Sequence, residues 1–457
     1  RSLSVAPLDD TKMGPAHLGM LGVLTLAIAI DSQKPFTFEF ILPGVAAEYN
    51  LSSPGHQVVA ALPVALIALV GIAGTVVGSL VWGCVADRWG RRSAILIAAM
   101  IFLATCACGA MPAFVDNLVM CFVMGLGAGG LLPIAYTLLA ETIPARHRGQ
   151  VVVLVAGVGT AAGFLLASAT ASWLMPGFGW RIMWFLGLPS GLCLVGLSGF
   201  IPESPRWLIS QARSTDAEAI LTRFGAQLVE VGTQPVGGGS LPARPSVAGL
   251  GPLTAALGIY GVGWGVVNFG FLTWLPTTAG HVGLSVAHIS AILTNAALFS
   301  LPGALIVSWA YGRVSSKAVL VVVAALNVAS LVAFAAFGTT VVTHPWVLTP
   351  ALVACLVSLW GVISVLAPYA AEVYPTHIRA GGAGIAAGAS KFGGVAALAM
   401  VVAGVSPPGI SGSAILSAAV MGAGALAIAR YGIETHHRSL EDIGPPKATA
   451  ALAGLTP

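Results

Sequence analysis

Residues 65–92 read ALIALVGIAGTVVGSLVWGCVADRWGRR. The uncharged run extends back to Gln57 and forward to Ala86; then Asp87, Arg88, Arg91 and Arg92 follow within six positions. An apolar segment of at least about 20 residues matches the thickness of a bilayer's hydrocarbon core when coiled as a helix. In lipid the backbone has no water to bond, so only helices and closed barrels can cross. The run lacks the ten-residue alternation of a barrel strand. Residues 57–83 therefore read as a spanning helix, and 83–92 as a tight charged turn at the membrane surface.

The same pattern repeats along the chain. Of 457 residues, 57% are hydrophobic and only 8% charged, with a mean hydropathy of +0.93. A water-soluble surface needs about 25% charged residues, which excludes a soluble globular protein. Apolar runs predict twelve spans at about 18–43, 57–83, 93–113, 117–140, 150–175, 180–201, 250–276, 286–311, 317–338, 346–371, 380–405 and 410–432. The expected fold is an all-α membrane protein, with six-helix bundles at 1–201 and 250–432, a polar linker at 202–249 and a tail at 433–457. Two blocks of six around a linker are themselves a transporter signature. The 57 glycines suit close packing of membrane helices.

Lysine and arginine set the orientation. With both termini cytoplasmic, seventeen of the twenty fall on the inner side and only Arg181 on the outer, while Lys34 and Lys391 lie within helices. The expected location is the cell's inner membrane. Loop insertion and lipid headgroups explain the basic residues, and no nucleic-acid partner is implied. No cleavable signal peptide is legible. The six cysteines lack metal-ligand or secreted-disulfide spacing and read as small packing residues.

The turn after the second span is Gly83-Cys-Val-Ala-Asp87-Arg88-Trp-Gly90-Arg91-Arg92. Gly83 would permit close helix approach, Asp87 can cap a helix dipole and pair with arginines, and Gly90 lets the chain turn sharply. A degenerate copy, Ser308-Trp-Ala-Tyr-Gly312-Arg313-Val-Ser315-Ser316-Lys317, follows the eighth span without the carboxylate. An E-x-x-P…R element ends the fourth span (Glu141, Pro144, Arg146, Arg148) and the tenth (Glu372, Pro375, Arg379), which indicates an internal repeat. Asp87, Arg88, Arg91, Arg92, Glu141, Arg148, Glu372 and Arg379 are candidate gate struts. Pro202-Glu203-Ser204-Pro205-Arg206-Trp207 follows the sixth span, and Gly432-Ile433-Glu434-Thr435 the twelfth.

With these motifs over nearly its whole length, the chain resembles the major facilitator superfamily, in its sugar-porter, organic-ion and aromatic-acid:proton symporter branch, synaptic-vesicle-glycoprotein-like members included. The resemblance implies a twelve-helix transporter whose central cavity faces each side of the membrane in turn. It also has limits. An arginine early in the fourth span, common in proton-coupled relatives, is replaced at Cys121-Phe-Val-Met-Gly125-Leu-Gly127. The proline-containing fifth-helix motif of drug antiporters and the glutamine signature of sugar porters are absent. The first outer loop, about 44–56, is too short for a large ectodomain. Bacterial aromatic-acid or metabolite symporters remain the best match.

Charges inside a membrane cost about 2.5–3.5 kcal/mol each and ask for a reason. In the first span, Asp31 and Lys34 stand three apart, on one face and close enough to pair. Pro35 frees a carbonyl nearby, and Glu39 lies further toward the outside. Burial favours a neutral carboxyl and a neighbouring cation favours the carboxylate, so the proton on Asp31 should depend on whether Lys34 is engaged by it or by an anion. Lys391 in the eleventh span has no acid in its own helix, and a ligand carboxylate is an economical partner for it. Asp31, with Glu39 in reserve, is the expected proton-coupling residue. Lys34, Lys391, Gln33, Trp264, Asn268 and Trp360 are the expected substrate contacts.

The nine histidines form no cluster, and neither a metal site nor a nucleophile–base pair is legible. The reading is a monomeric secondary transporter, not an enzyme, which carries a small organic anion by alternating access. It would need no cofactor beyond a proton gradient, and its partners would be substrate, protons and membrane lipid. Two alternatives stand beside it: uncoupled movement of a neutral or zwitterionic metabolite, and a transporter-like membrane sensor.

Overall fold

The computed structural model describes residues 2–4, 8, 11–52, 62–144, 146–231, 250–276, 285–338, 340, 344–374, 379–404 and 409–435. Twelve helices are long and apolar enough to span a membrane. They are α1 (Pro15–Glu48), α2 (Ala65–Trp89), α3 (Arg91–Gly109), α4 (Phe114–Thr142), α5 (Arg148–Trp173), α6 (Ile182–Phe200), α7 (Gly251–Leu272), α8 (Val286–Arg313), α9 (Ser316–Phe337), α10 (Pro345–Val373), α11 (Arg379–Val402) and α12 (Ile410–Tyr431). The expected spans are all present. A short antiparallel ribbon pairs Ser2–Ser4 with Val229–Val231.

The packing repeats between the halves. In the first, α1 lies along α5, α2 along α4 and α3 along α6; in the second, α7 lies along α11, α8 along α10 and α9 along α12. The halves meet through α2 with α11 and α5 with α8, the same pair of positions exchanged. That is the pattern a two-fold pseudo-symmetric bundle produces. The linker is folded as far as it is described: helices Pro205–Ser210 and Ser214–Arg223 sit beneath the first half, where Phe224 stacks on His17 at 4.5 Å.

Apolar attraction cannot draw helices together in lipid, so close contact of small residues does. A Cβ on Gly74 would lie 2.5 Å from the Phe122 carbonyl oxygen, one on Gly125 2.2 Å from that of Gly71, and one on Gly129 2.4 Å from that of Thr75. Gly265 and Gly393 make the matching seam between α7 and α11, at 2.0 Å from the Ser390 oxygen and 2.2 Å from the Val262 oxygen. At the end of the bundle away from the Asp87 turn, Arg181 bonds Glu48 at 2.6 Å and the Gly109 carbonyl at 2.7 Å, which ties α6 to α1 and α3.

Two expectations for the 83–92 turn need correction. Gly83 was read as a close-approach glycine, yet a Cβ there meets nothing within 4 Å; the approach is made deeper in α2, at Gly74 and Gly78. Asp87 does not cap the α3 dipole. Glu203 does, accepting from the backbone N–H of Arg91 at 2.7 Å and of Arg92 at 3.2 Å. Gly90 behaves as expected, with φ +95, where a side chain is strained. Glu434 repeats the Glu203 cap in the second half, accepting from the Ser316 N–H at 2.9 Å where α9 begins.

Gly125→Ala should therefore push α2 from α4, at about 1–3 kcal/mol, and lower the melting temperature of the purified protein. Gly83→Ala should leave it unchanged. Equal melting of the two variants would refute the seam.

Candidate functional site

Between the halves lies a cavity with about 1040 Å³ of empty space, open solvent included, lined by α1, α2, α4, α5, α7, α10 and α11. It runs from Phe36 and Phe269 toward the end that carries the Asp87 turn, where Tyr136, Ala371 and Ala383 line it. Beyond it on the other side, aromatic rings cross from half to half: Phe36 packs on Phe164 at 5.1 Å, and Phe164 on Trp360 at 5.4 Å. Most of the wall is apolar. Its charged groups are Asp31, on the first half, and Lys391, on the second.

Asp31 is 2% exposed, and its Oδ1 has no hydrogen-bond partner among the described residues. Pro35, one turn on, also lines the cavity. Lys391 reaches across from α11 to donate to Ser79 Oγ on α2 and, at 3.1 Å, to the Gly129 carbonyl on α4. The two charges lie close enough to act on each other, yet no ion pair or hydrogen bond joins them. α4 carries no lysine or arginine, and the cation that shares the cavity with Asp31 comes from α11. Tyr136, Thr160 and Thr75 also line the cavity and were not expected from the sequence.

The other predicted contacts divide. Trp264 lines the cavity, with Nε1 unpartnered among the described residues, and is joined by Phe269, edge-on at 6.1 Å. Lys34 does not line it. Its Nζ donates to the Met183 carbonyl at 3.0 Å and lies 5.7 Å from the Trp184 ring, between α1 and α6. The expected Asp31–Lys34 pair is not formed: Asp31 meets the cavity, and Lys34 is bound to the Met183 carbonyl of α6. Gln33 is buried where α1 meets α5, its N–H 3.0 Å from where a Gly163 Cβ would sit. Glu39 is fully buried, both oxygens without a hydrogen-bond partner among the described residues, and does not line the cavity. Asn268 sits buried in the π-turn Val267–Leu272 of α7, its side-chain amide without a partner among the described residues, and Trp360 belongs to the aromatic layer. No group of His, Cys, Asp and Glu among the described residues could hold a metal ion.

The Major Facilitator Superfamily model matches residues 23–398. The chain belongs to this superfamily. It is similar to a niacin transporter (NiaP) of Acinetobacter baylyi, 28% identical over 96% of this chain and 99% of that protein. It is also similar to a 4-hydroxybenzoate transporter (PcaK) of the same organism, 30% identical over 82% of this chain and 81% of that one. The solved structure of the proton:xylose symporter XylE bound to 6-bromo-6-deoxy-D-glucose matches 93% of this chain and 98% of its own, with a TM-score of 0.73 at 19% identity. The protein is thus a multi-pass membrane transporter and not an enzyme.

At the end bearing the turn, the superfamily motifs assemble into one network per half. Arg91 pairs with Asp87 at 3.1 Å and Glu141 at 3.3 Å and donates to the Ala86 carbonyl at 3.2 Å; Arg88 and Arg92 are exposed. In the second half Glu372 accepts from Tyr311 at 2.7 Å and Thr435 at 2.6 Å, and the Arg148 charge acts on it from the first half. Ser308 on α8 donates to the Gln150 carbonyl on α5 at 2.8 Å. Where the degenerate motif lacks its carboxylate, a Cβ on Gly312 would lie 2.7 Å from that of Gln150, so the glycine admits α5. Arg379 opens α11, and its side chain lies outside the described residues.

None of Asp87, Arg91, Glu141 or Glu372 lines the cavity. Asp87→Asn should slow uptake into proteoliposomes while substrate affinity stays within about threefold, because it changes the populations of states and no ligand contact. Loss of equilibrium binding by folded protein would contradict this.

Proposed function

We propose that this protein carries a small organic anion, of the aromatic-carboxylate kind, together with protons across the cell's inner membrane by alternating access. Both termini lie in the cytoplasm, as the lysine and arginine bias requires. The reading rests on one observation: a carboxyl from one half and an ammonium from the other line the same, otherwise uncharged cavity. Niacin, 4-hydroxybenzoate and gallate, named for the relatives, are aromatic acids, and cis,cis-muconate is an open-chain unsaturated dicarboxylate.

Lys391 supplies the positive charge that a carboxylate needs, and Phe36, Trp264 and Phe269 supply faces for a ring. When Asp31 is protonated, Lys391 is the only charge on the cavity wall and an anion neutralises it. When Asp31 is ionised, the wall is already neutral in sum and an added anion is uncompensated. Proton and anion therefore favour each other's binding, and the coupling is reciprocal. Asp31 carries the proton in this scheme, which needs no arginine on α4. Lys34 takes the role of an internal tie. Glu39 stands as a second protonatable group on the sealed side of the aromatic layer.

Lys391→Ala should abolish binding of nicotinate and 4-hydroxybenzoate in a thermal-shift assay at two pH values, with Lys391→Arg partly active. Normal binding by Lys391→Ala would sink the anion reading and favour a neutral or zwitterionic solute. Affinity in the wild type should rise as pH falls, since protonation of Asp31 removes the competing negative charge. Asp31→Asn should flatten that dependence and exchange substrate across proteoliposomes without accumulating it. If the asparagine variant still concentrates substrate under a pH gradient, the coupling site lies elsewhere.

A further inference from the structure

Pro133 lies inside α4. A proline has no N–H, so the carbonyl four residues earlier, that of Gly129, loses its helical donor. Left unmet in the interior of a membrane protein, such an oxygen is costly. Lys391 Nζ donates to it at 3.1 Å, and the Ser79 hydroxyl lies 2.8 Å from it and 2.8 Å from the Thr75 carbonyl, with one proton to give to either. The same Nζ also donates to Ser79 Oγ. Glycine at 129 is what lets α2 come near enough, since a Cβ there would sit 2.4 Å from the Thr75 carbonyl oxygen.

The second observation is what Lys391 does not do. It lines the cavity with Asp31, Asp31 is buried and Lys391 half-buried, and no hydrogen bond or ion pair forms between them. An ammonium on a four-carbon stem, beside a carboxyl with an unmet oxygen in an apolar cavity, has every reason to close on it. Two of its three N–H groups are instead held by α2 and α4, and the third is left for the cavity.

We infer that Ser79 and the proline-freed carbonyl of Gly129 form a seat that holds the Lys391 ammonium off Asp31 and keeps it available to an anionic substrate. Ser79 and Pro133 are positioning residues for the cavity. The inference rests on the reading of Lys391 as the anion's contact. Without the seat, Lys391 swings onto Asp31, the two charges cancel, and an incoming carboxylate must first break that pair.

Equilibrium binding of nicotinate and 4-hydroxybenzoate to the purified full-length protein tests this. Ser79→Ala removes one acceptor, and Pro133→Ala returns an N–H to the Gly129 carbonyl. Each should raise Kd about tenfold, the scale of a lost hydrogen bond to a charged group. In an Asp31→Asn background there is no carboxylate to close on, and the same substitutions should change Kd by less than about twofold. Equal losses in both backgrounds would mean a merely structural role and overturn the inference. So would wild-type affinity in Ser79→Ala and Pro133→Ala. A Lys391→Ala variant that binds normally instead removes the anion reading beneath it; loss of binding there with unaltered Ser79 and Pro133 variants refutes the seat alone. Ser79→Ala leaves the α4 backbone intact, so the test survives if Pro133→Ala fails to fold.

Discussion

Lipid offers no water to a polar group, so the backbone of a membrane-spanning bundle has to satisfy itself. That constraint closes the backbone into helices and draws them together along glycine seams. It sends the Gly129 carbonyl, orphaned by Pro133, to Ser79 and Lys391. It also makes an unmet Asp31 oxygen on the cavity wall informative, because a buried carboxyl without a partner invites a proton or a ligand.

The two halves use one plan and divide the chemistry. Glu203 and Glu434 each cap the helix that opens the third position of their half. Glu141 and Glu372 end equivalent helices, but Glu141 meets an arginine, while Glu372 meets hydroxyls and the charge of Arg148 from across the interface. The first half keeps the acid of the cavity and the second keeps the base. Because α2 and α4 hold Lys391, the interface between the halves runs through the proposed substrate site. A change in what the ammonium touches is then also a change in how the halves are joined, which is the physical requirement for coupling binding to access.

Much of this was legible without coordinates. Apolar length against a fixed bilayer thickness determined the number of helices, and the Glu-x-x-Pro repeat and the paired linker motifs determined the two-fold plan. Asp31, Lys391 and Trp264 stood out because a polar group or large ring in an apolar span needs a reason, and all three line the cavity. The rule that a proline frees the carbonyl four residues before it was in hand at Pro35 and applies equally at Pro133; what it could not say is which donor would arrive.

The tertiary structure alone decided which way each helix faces. The polar residues of α1 are spread around its circumference, so no amphipathic stripe marks its cavity face, and spacing could show only that Asp31 and Lys34 are neighbours. Its rotation is set by contacts remote in sequence. Phe38 packs where a Gly71 Cβ would be, and Gly163 admits the α1 backbone at Ala29. Those contacts send Asp31 to the cavity and Lys34 to the Met183 carbonyl. For the same reason, the partnership of Lys391 with Ser79, 312 residues away in the chain, followed from packing and not from sequence.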